Sequence, residues 1–266
     1  MTRGVSALVL TALVGAVAAS QGFADDGTPA ASTTTTPAST LTSTVAAAPT
    51  QSKQSKRTIA GVETVFPAAG QLLVTKIPVR RAPSPQAPVI KLLGQFRPDY
   101  RIQEIFAVST RVGADGRPWY RISIPMRPNG TMGWIPARSA SVSPTVSRIV
   151  IHRGARTIDV YRHGKHVLHA PVAVGAPGME TPLGHYYVAA RFVPYQDPFL
   201  GVFALETSAY SRLTEWPGGG VVGIHGTSMP QLLGQAVSHG CVRVSNQTAA
   251  ALRRLAPLGT PIWITA

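Results

Sequence analysis

The stretch 221–246, VVGIHGTSMPQLLGQAVSHGCVRVSN, holds the single cysteine of the chain, Cys241, and brackets it with His225 and His239. A thiol reacts as its thiolate, and an ordinary pKa of about 8.5 leaves only a few per cent ionised at neutral pH, so a working cysteine wants a base or a cation beside it. His225 and His239 are the candidates. The β-branched run 221–224 predicts a buried strand that ends at His225, and Gly226 lets the chain turn away from it. In Ser238-His239-Gly240-Cys241, Gly240 allows close backbone approach, and the amides of Gly240 and Cys241 are positioned to meet a developing oxyanion. Val242-Arg243-Val244 alternates as a short strand, which puts Arg243 on the same side as the thiol. Ser245 or Asn246 then caps a helix over 247–255 that Pro257 and Gly259 end. The residues alone suggest acyl transfer by a Cys/His pair, weighed against an inert buried cysteine and structural histidines.

His225-Gly226-Thr227, followed by Ser238-His239-Gly240-Cys241-Val242-Arg243 and Asn246, resembles the signature of the L,D-transpeptidase catalytic domain, or YkuD domain. Thr181-Pro182-Leu183-Gly184 is similar to that family's upstream element, and 259–264 to its closing strand. The resemblance covers 147–266. It implies that Cys241 is the nucleophile, that His225 is its general base, and that a backbone carbonyl at or near Gly226 orients the imidazole in place of a carboxylate. It implies as well that Ser238, His239, Gly240 and Arg243 shape the acyl pocket. Ser228 departs from the asparagine that many members carry, and the insert before Ser238 is short for the family.

Further upstream, Arg3, the apolar run 5–19 and small residues at Ala18 and Ala24 predict a signal peptide over 1–24, cleaved after Ala24 or after Ala18. The run is short for a membrane span, so no stable membrane insertion is expected after cleavage. Residues 25–64 are Ala, Thr, Ser and Pro with few large apolar side chains and predict a disordered tether. Over 66–143, short apolar stretches separated by Ala114-Asp115-Gly116 and Pro128-Asn129-Gly130 predict a small β-barrel. Val79-Arg80-Arg81, Trp119-Tyr120-Arg121 and Gly133-Trp134-Ile135 resemble a bacterial SH3-like domain, with Trp119 and Trp134 as core residues. The expected fold is mainly β: an SH3-like barrel, then a β-sandwich catalytic domain over 147–266 with a minor helix.

A chain of 266 residues with one cysteine has no internal disulfide to hold it, so packed cores must. The net charge of +14 comes from arginines spread over 80–254. Export argues against nucleic acid as the partner, and points to peptidoglycan stem peptides and anionic wall polymers. No cofactor is expected and no metal: the sequence has no HExxH, and His163, His166 and His169 are spaced so that a hairpin scatters them. A site made of His225, His239 and Cys241 has suitable ligand types but no neighbouring carboxylate. The reading is thus a transpeptidase of the cell envelope that releases D-alanine from a tetrapeptide stem and passes the acyl group to an amine. The alternatives are an L,D-carboxypeptidase using water, and a non-catalytic wall-binding protein.

Overall fold

A computed structural model describes residues 56–59, 62–195, 197–215 and 217–266. The expected signal peptide lies outside the described residues, as does the expected tether up to residue 55. The last part of that tether range is regular structure instead: β1 (Lys56–Ile59) and β2 (Val62–Val65) pair as an antiparallel hairpin, so ordered backbone precedes Phe66. No described helix is long and apolar enough to cross a membrane.

Seven strands follow: β3 (Ala68–Leu72), β4 (Lys76–Arg80), β5 (Val89–Gly94), β6 (Glu104–Val112), β7 (Pro118–Ser123), β8 (Met132–Pro136) and β9 (Ala140–Pro144). They form one antiparallel sheet in the order β5-β4-β8-β7-β6-β3-β9. Leu93 near one edge and Ala140 at the other share a core with Leu72, Val79, Ile105, Ile122 and Ile135, so the sheet must curl over on itself. Trp119 is buried, 2 % exposed, but outside that cluster, on the face of β7 opposite Ile122, and it donates its indole N–H to Asp115 at 2.9 Å. Trp134 is only half-buried, with the Arg111 guanidinium 6.0 Å from its ring centre, so it is not the core residue expected. Arg121 pairs with Trp134, so Trp119, two residues away, shares Trp134's face, opposite Ile122 and Ile135.

The second region comprises β10 (Ser147–His152), β11 (Thr157–Arg162), β12 (Lys165–Pro171), β13 (Val174–Gly175), β14 (Gly184–Phe192), β15 (Ala204–Tyr210), β16 (Val221–His225), β17 (Ala236–Ser238), β18 (Val242–Arg243), α1 (Asn246–Leu255) and β19 (Pro261–Thr265). Eight of these strands make one mixed sheet, β12-β11-β10-β19-β14-β15-β16-β18, while β13 and β17 pair separately. Ile158 and Val160 near one edge share a core with Val222, Ile224 and Val242 at the other. The two halves therefore close over one interior, the sandwich-like arrangement expected, and a bulge in β14 between Val188 and Ala190 lies where the halves join. The one described α-helix, α1, plugs this interior with Ala249 and Leu252. Ser245 is its cap, accepting the Thr248 amide at 3.0 Å, and Arg253 and Arg254 complement the carbonyl end.

The two regions dock through β6 and β14. Phe106 stacks on Tyr187 with ring centres 5.0 Å apart, and Glu206 in β15 forms ion pairs with Arg97 and, at 2.8 Å, Arg101. The loop after β7 grips the other side: Asn129 exchanges two hydrogen bonds with the Tyr210 backbone, and Arg127 donates to the carbonyls of Ser211, Leu213 and Gly219.

Candidate active site

Parallel pairing of β16 with β18 decides which side chains meet. Ile224 stands opposite Val242 and His225 opposite Arg243, so Gly223, His225, Cys241 and Arg243 share one face. Ile224 and Val242 face the core and anchor both strands from behind. Gly223 leaves the middle of the reactive face open: a Cβ there would lie 3.6 Å from His225 Cδ2 and 3.8 Å from Cys241 Sγ. Its amide donates to Cys241 Sγ at 3.3 Å.

His225 is 2 % exposed, and its Nδ1 lies 2.6 Å from the Gly226 carbonyl oxygen. A carbonyl only accepts, so Nδ1 carries the proton and the neutral ring leaves Nε2 as a free base. Gly226 is held close in its turn. A Cβ on it would come within 2.2 Å of Asn246 Oδ1 and 3.1 Å of the Gly201 Cα, so only glycine fits between them.

Electrostatics keep the pair neutral at rest. Burial pushes the His225 pKa down from 6.5; the Gly226 bond resists that, the Arg243 charge adds to it, and Asp197 opposes it. Burial pushes the Cys241 thiol up from 9.0, against the Gly223 amide and the Arg243 charge, which both pull it down. Arg243 is 6 % exposed, its guanidinium 4.6 Å from the ring centre of Phe199, and its Nε has no partner among the described residues. The same Phe199 ring stands 5.9 Å from the imidazole. It sits on a short turn, Pro198–Leu200, that Asp197 caps by accepting the Phe199 amide at 3.0 Å.

The Cys241 loop is braced from within. Ser238 is buried and donates to the Cys241 carbonyl at 2.5 Å, and its oxygen accepts the Gly240 amide at 3.2 Å. One of the two expected oxyanion donors, the Gly240 amide, is thus committed to a side chain. Gly240 takes φ 115°, which only glycine adopts without strain, and Ser211 leaves no room for a Cβ. Thr181, wholly buried, receives the Gly175 amide and donates to the Gly240 carbonyl, both at 2.9 Å. His239 is half-buried beside this brace.

The face opens into a cavity of about 710 Å³ between the two regions. His225, Cys241, Gly223 and Phe199 line one side, and Lys91, Arg97 and Arg101 the other. Of the site residues expected from sequence, His225 and Cys241 line the cavity, while Gly226, Ser238, Gly240 and Arg243 support or flank them and do not line it. Gly223, Phe199 and the far wall, where Arg97 and Arg101 are ion-paired with Asp99 and Glu206, were not anticipated. Gly223 carried a readable signal, a glycine two residues before the base on the same strand face. Phe199 lies 26 residues before His225, and Lys91, Arg97 and Arg101 lie more than a hundred residues before it.

Residues 146–264 match the family model of the L,D-transpeptidase catalytic domain, YkuD. The YkuD protein of Bacillus licheniformis is 29 % identical over 161 residues, covering 58 % of this chain and 91 % of its own length. That of Bacillus subtilis strain 168 is 32 % identical over 116 residues, covering 44 % and 64 %. Among solved structures, L,D-transpeptidase 3 from Mycobacterium tuberculosis, in complex with a faropenem-derived adduct, aligns with a TM-score of 0.43 at 15 % identity, over 74 % of this chain and 98 % of that one. Residues 146–264 thus belong to the YkuD family, as its L,D-transpeptidase catalytic domain.

Proposed function

We propose that the protein is an exported L,D-transpeptidase of the bacterial envelope, with Cys241 as nucleophile and His225 as general base. The observation that carries this reading is the imidazole held by the Gly226 carbonyl with Nε2 unprotonated, on the same strand face as the thiol and at the wall of a cavity. His225 Nε2 takes the thiol proton as sulfur attacks the carbonyl of the third stem residue. The oxyanion forms near the Cys241 amide, since the Gly240 amide is engaged by Ser238. Collapse breaks the bond to D-alanine, whose amine takes the proton from the imidazolium, and a thioester remains. An acceptor amine then loses a proton to His225, attacks the thioester and regenerates the thiol.

Arg243 adds positive charge that favours thiolate as the proton leaves. Ser238 and Thr181 are positioning residues for the loop. The curled domain before residue 146 is read as the SH3-like module, and Lys91, Arg97 and Arg101 make it one wall of the cleft. The net charge of +14 suits a wall rich in anionic polymer and stem carboxylates.

The test is product analysis with disaccharide-tetrapeptide. Wild type should release D-alanine and form cross-linked dimer, with both products lost by on the order of 10³-fold or more in Cys241→Ala and His225→Ala. Tripeptide without dimer would make the enzyme a carboxypeptidase. Turnover retained in Cys241→Ala would overturn the assignment.

A further inference from the structure

Four residues distant in function from the cleft meet on the outer face of β10, β11 and β12. Asp159 stands directly opposite His169, and Tyr161 opposite His166. His166 and His169 are three apart, a spacing that puts side chains on opposite faces of a regular strand. A bulge between Val160 and Tyr161 absorbs one residue of β12, so both imidazoles emerge on the Asp159 face. This is why the scattering expected from the sequence does not occur. The distances are short: His166 Nε2 lies 2.7 Å and His169 Nδ1 2.8 Å from Asp159 Oδ1, and His152 Nε2 lies 3.1 Å from Asp159 Oδ2. The three ligand atoms of Asp159, His166 and His169 fall within 4.8 Å of one another.

We propose that Asp159, His166 and His169 form a binding site for a divalent transition cation of the zinc type, with His152 holding the second carboxylate oxygen. Two imidazole nitrogens and one carboxylate oxygen suit zinc, whereas calcium and magnesium prefer oxygen alone. Tetrahedral zinc sets such atoms about 3.3 Å apart. The histidine side chains are 48 % and 57 % exposed and have room to rotate inward, while Asp159, at 12 %, is the fixed point. Without metal, both nitrogens donate to the carboxylate. With metal, each ring keeps its proton on the outward nitrogen, a change of tautomer that water mediates. The arrangement has the carboxylate–histidine support that metal sites use: His152 bonds Oδ2 and is itself 3.2 Å from Thr265 Oγ1. Because β12 is the edge strand, the ion would staple that edge to β11. None of these residues lines the Cys241 cavity, so the site is structural.

The test titrates untagged, chelator-treated full chain with zinc chloride by calorimetry, beside Cys241→Ala, His166→Gln and the double variant His166→Ala/His169→Ala. Wild type and Cys241→Ala should each bind one equivalent with equal Kd. His166→Gln should weaken binding by about 10–100-fold and the double variant should abolish it. Zinc at a hundredfold excess over Kd should raise the wild-type Tm by about 5–10 °C and leave the double variant unmoved. D-alanine release should be unchanged in both histidine variants. No binding by wild type would reduce the cluster to a hydrogen-bonded network. Wild-type affinity in His166→Gln, or loss of binding in Cys241→Ala, would put the metal elsewhere and overturn the assignment.

Discussion

The reactive pair is built to be neutral until substrate arrives. Burial disfavours both the imidazolium of His225 and the thiolate of Cys241, while the Gly226 carbonyl fixes the tautomer that leaves Nε2 free. A histidine whose pKa is lowered keeps its basic form to lower pH. The acid limb of kcat/KM should therefore have its midpoint below 6.5, and a pH profile that fails already above 6.5 would contradict this account of the base. The thiol works in the opposite direction: alkylation of Cys241 by iodoacetamide in free enzyme should climb beyond pH 9, since its ionisation is displaced upward from 9.0.

At the scale of elements, two strands present the chemistry and a third segment stiffens it. β16 and β18 bring His225 and Cys241 together, and Thr181, in the loop before β14, ties Gly175 to Gly240 across the Cys241 loop. Thr181→Val keeps the shape but strands a buried amide and a buried carbonyl. It should cost about 2–4 kcal/mol of stability, read as a fall in the denaturation midpoint, and lower kcat more than it raises KM. Much of this layout was legible in sequence. The apolar run ending at His225, the alternation Val242-Arg243-Val244 and the capping Ser245 each carry a local period or cap signal. The bulge that gathers His166 and His169 was not, because bulges are set by pairing between strands and leave no mark on spacing. Phe199 was equally silent, since its place over His225 and Arg243 follows from a loop that returns from β14.

The molecule as a whole places the active face at a seam. The match to the catalytic-domain family model starts at residue 146, and nothing local in Lys91 or Arg97 says that either lines a cavity with His225 and Cys241. Glu104 lies in the docked surface, 5 % exposed, with its backbone carbonyl 3.5 Å from the Tyr187 hydroxyl. Burial raises its pKa from 4.5 to about 7. The neutral carboxyl therefore favours the folded state below pH 4.5, and that contribution is lost as pH rises through 7. Glu104→Gln should be more stable than wild type by about 1–3 kcal/mol at pH 8 and equal to it near pH 4, measured by denaturant titration. Equal stability at both pH values would mean that water reaches the carboxylate in the seam. The central claim concerns the intact molecule acting on its substrate, and intact-mass spectrometry of the full chain quenched during turnover of disaccharide-tetrapeptide tests it most directly. The account predicts a protein adduct with the mass of the disaccharide-tripeptide acyl group, mapped by peptide digestion to Cys241 and missing from Cys241→Ala. The same adduct on Cys241→Ala, or on another residue of the wild type, would contradict it.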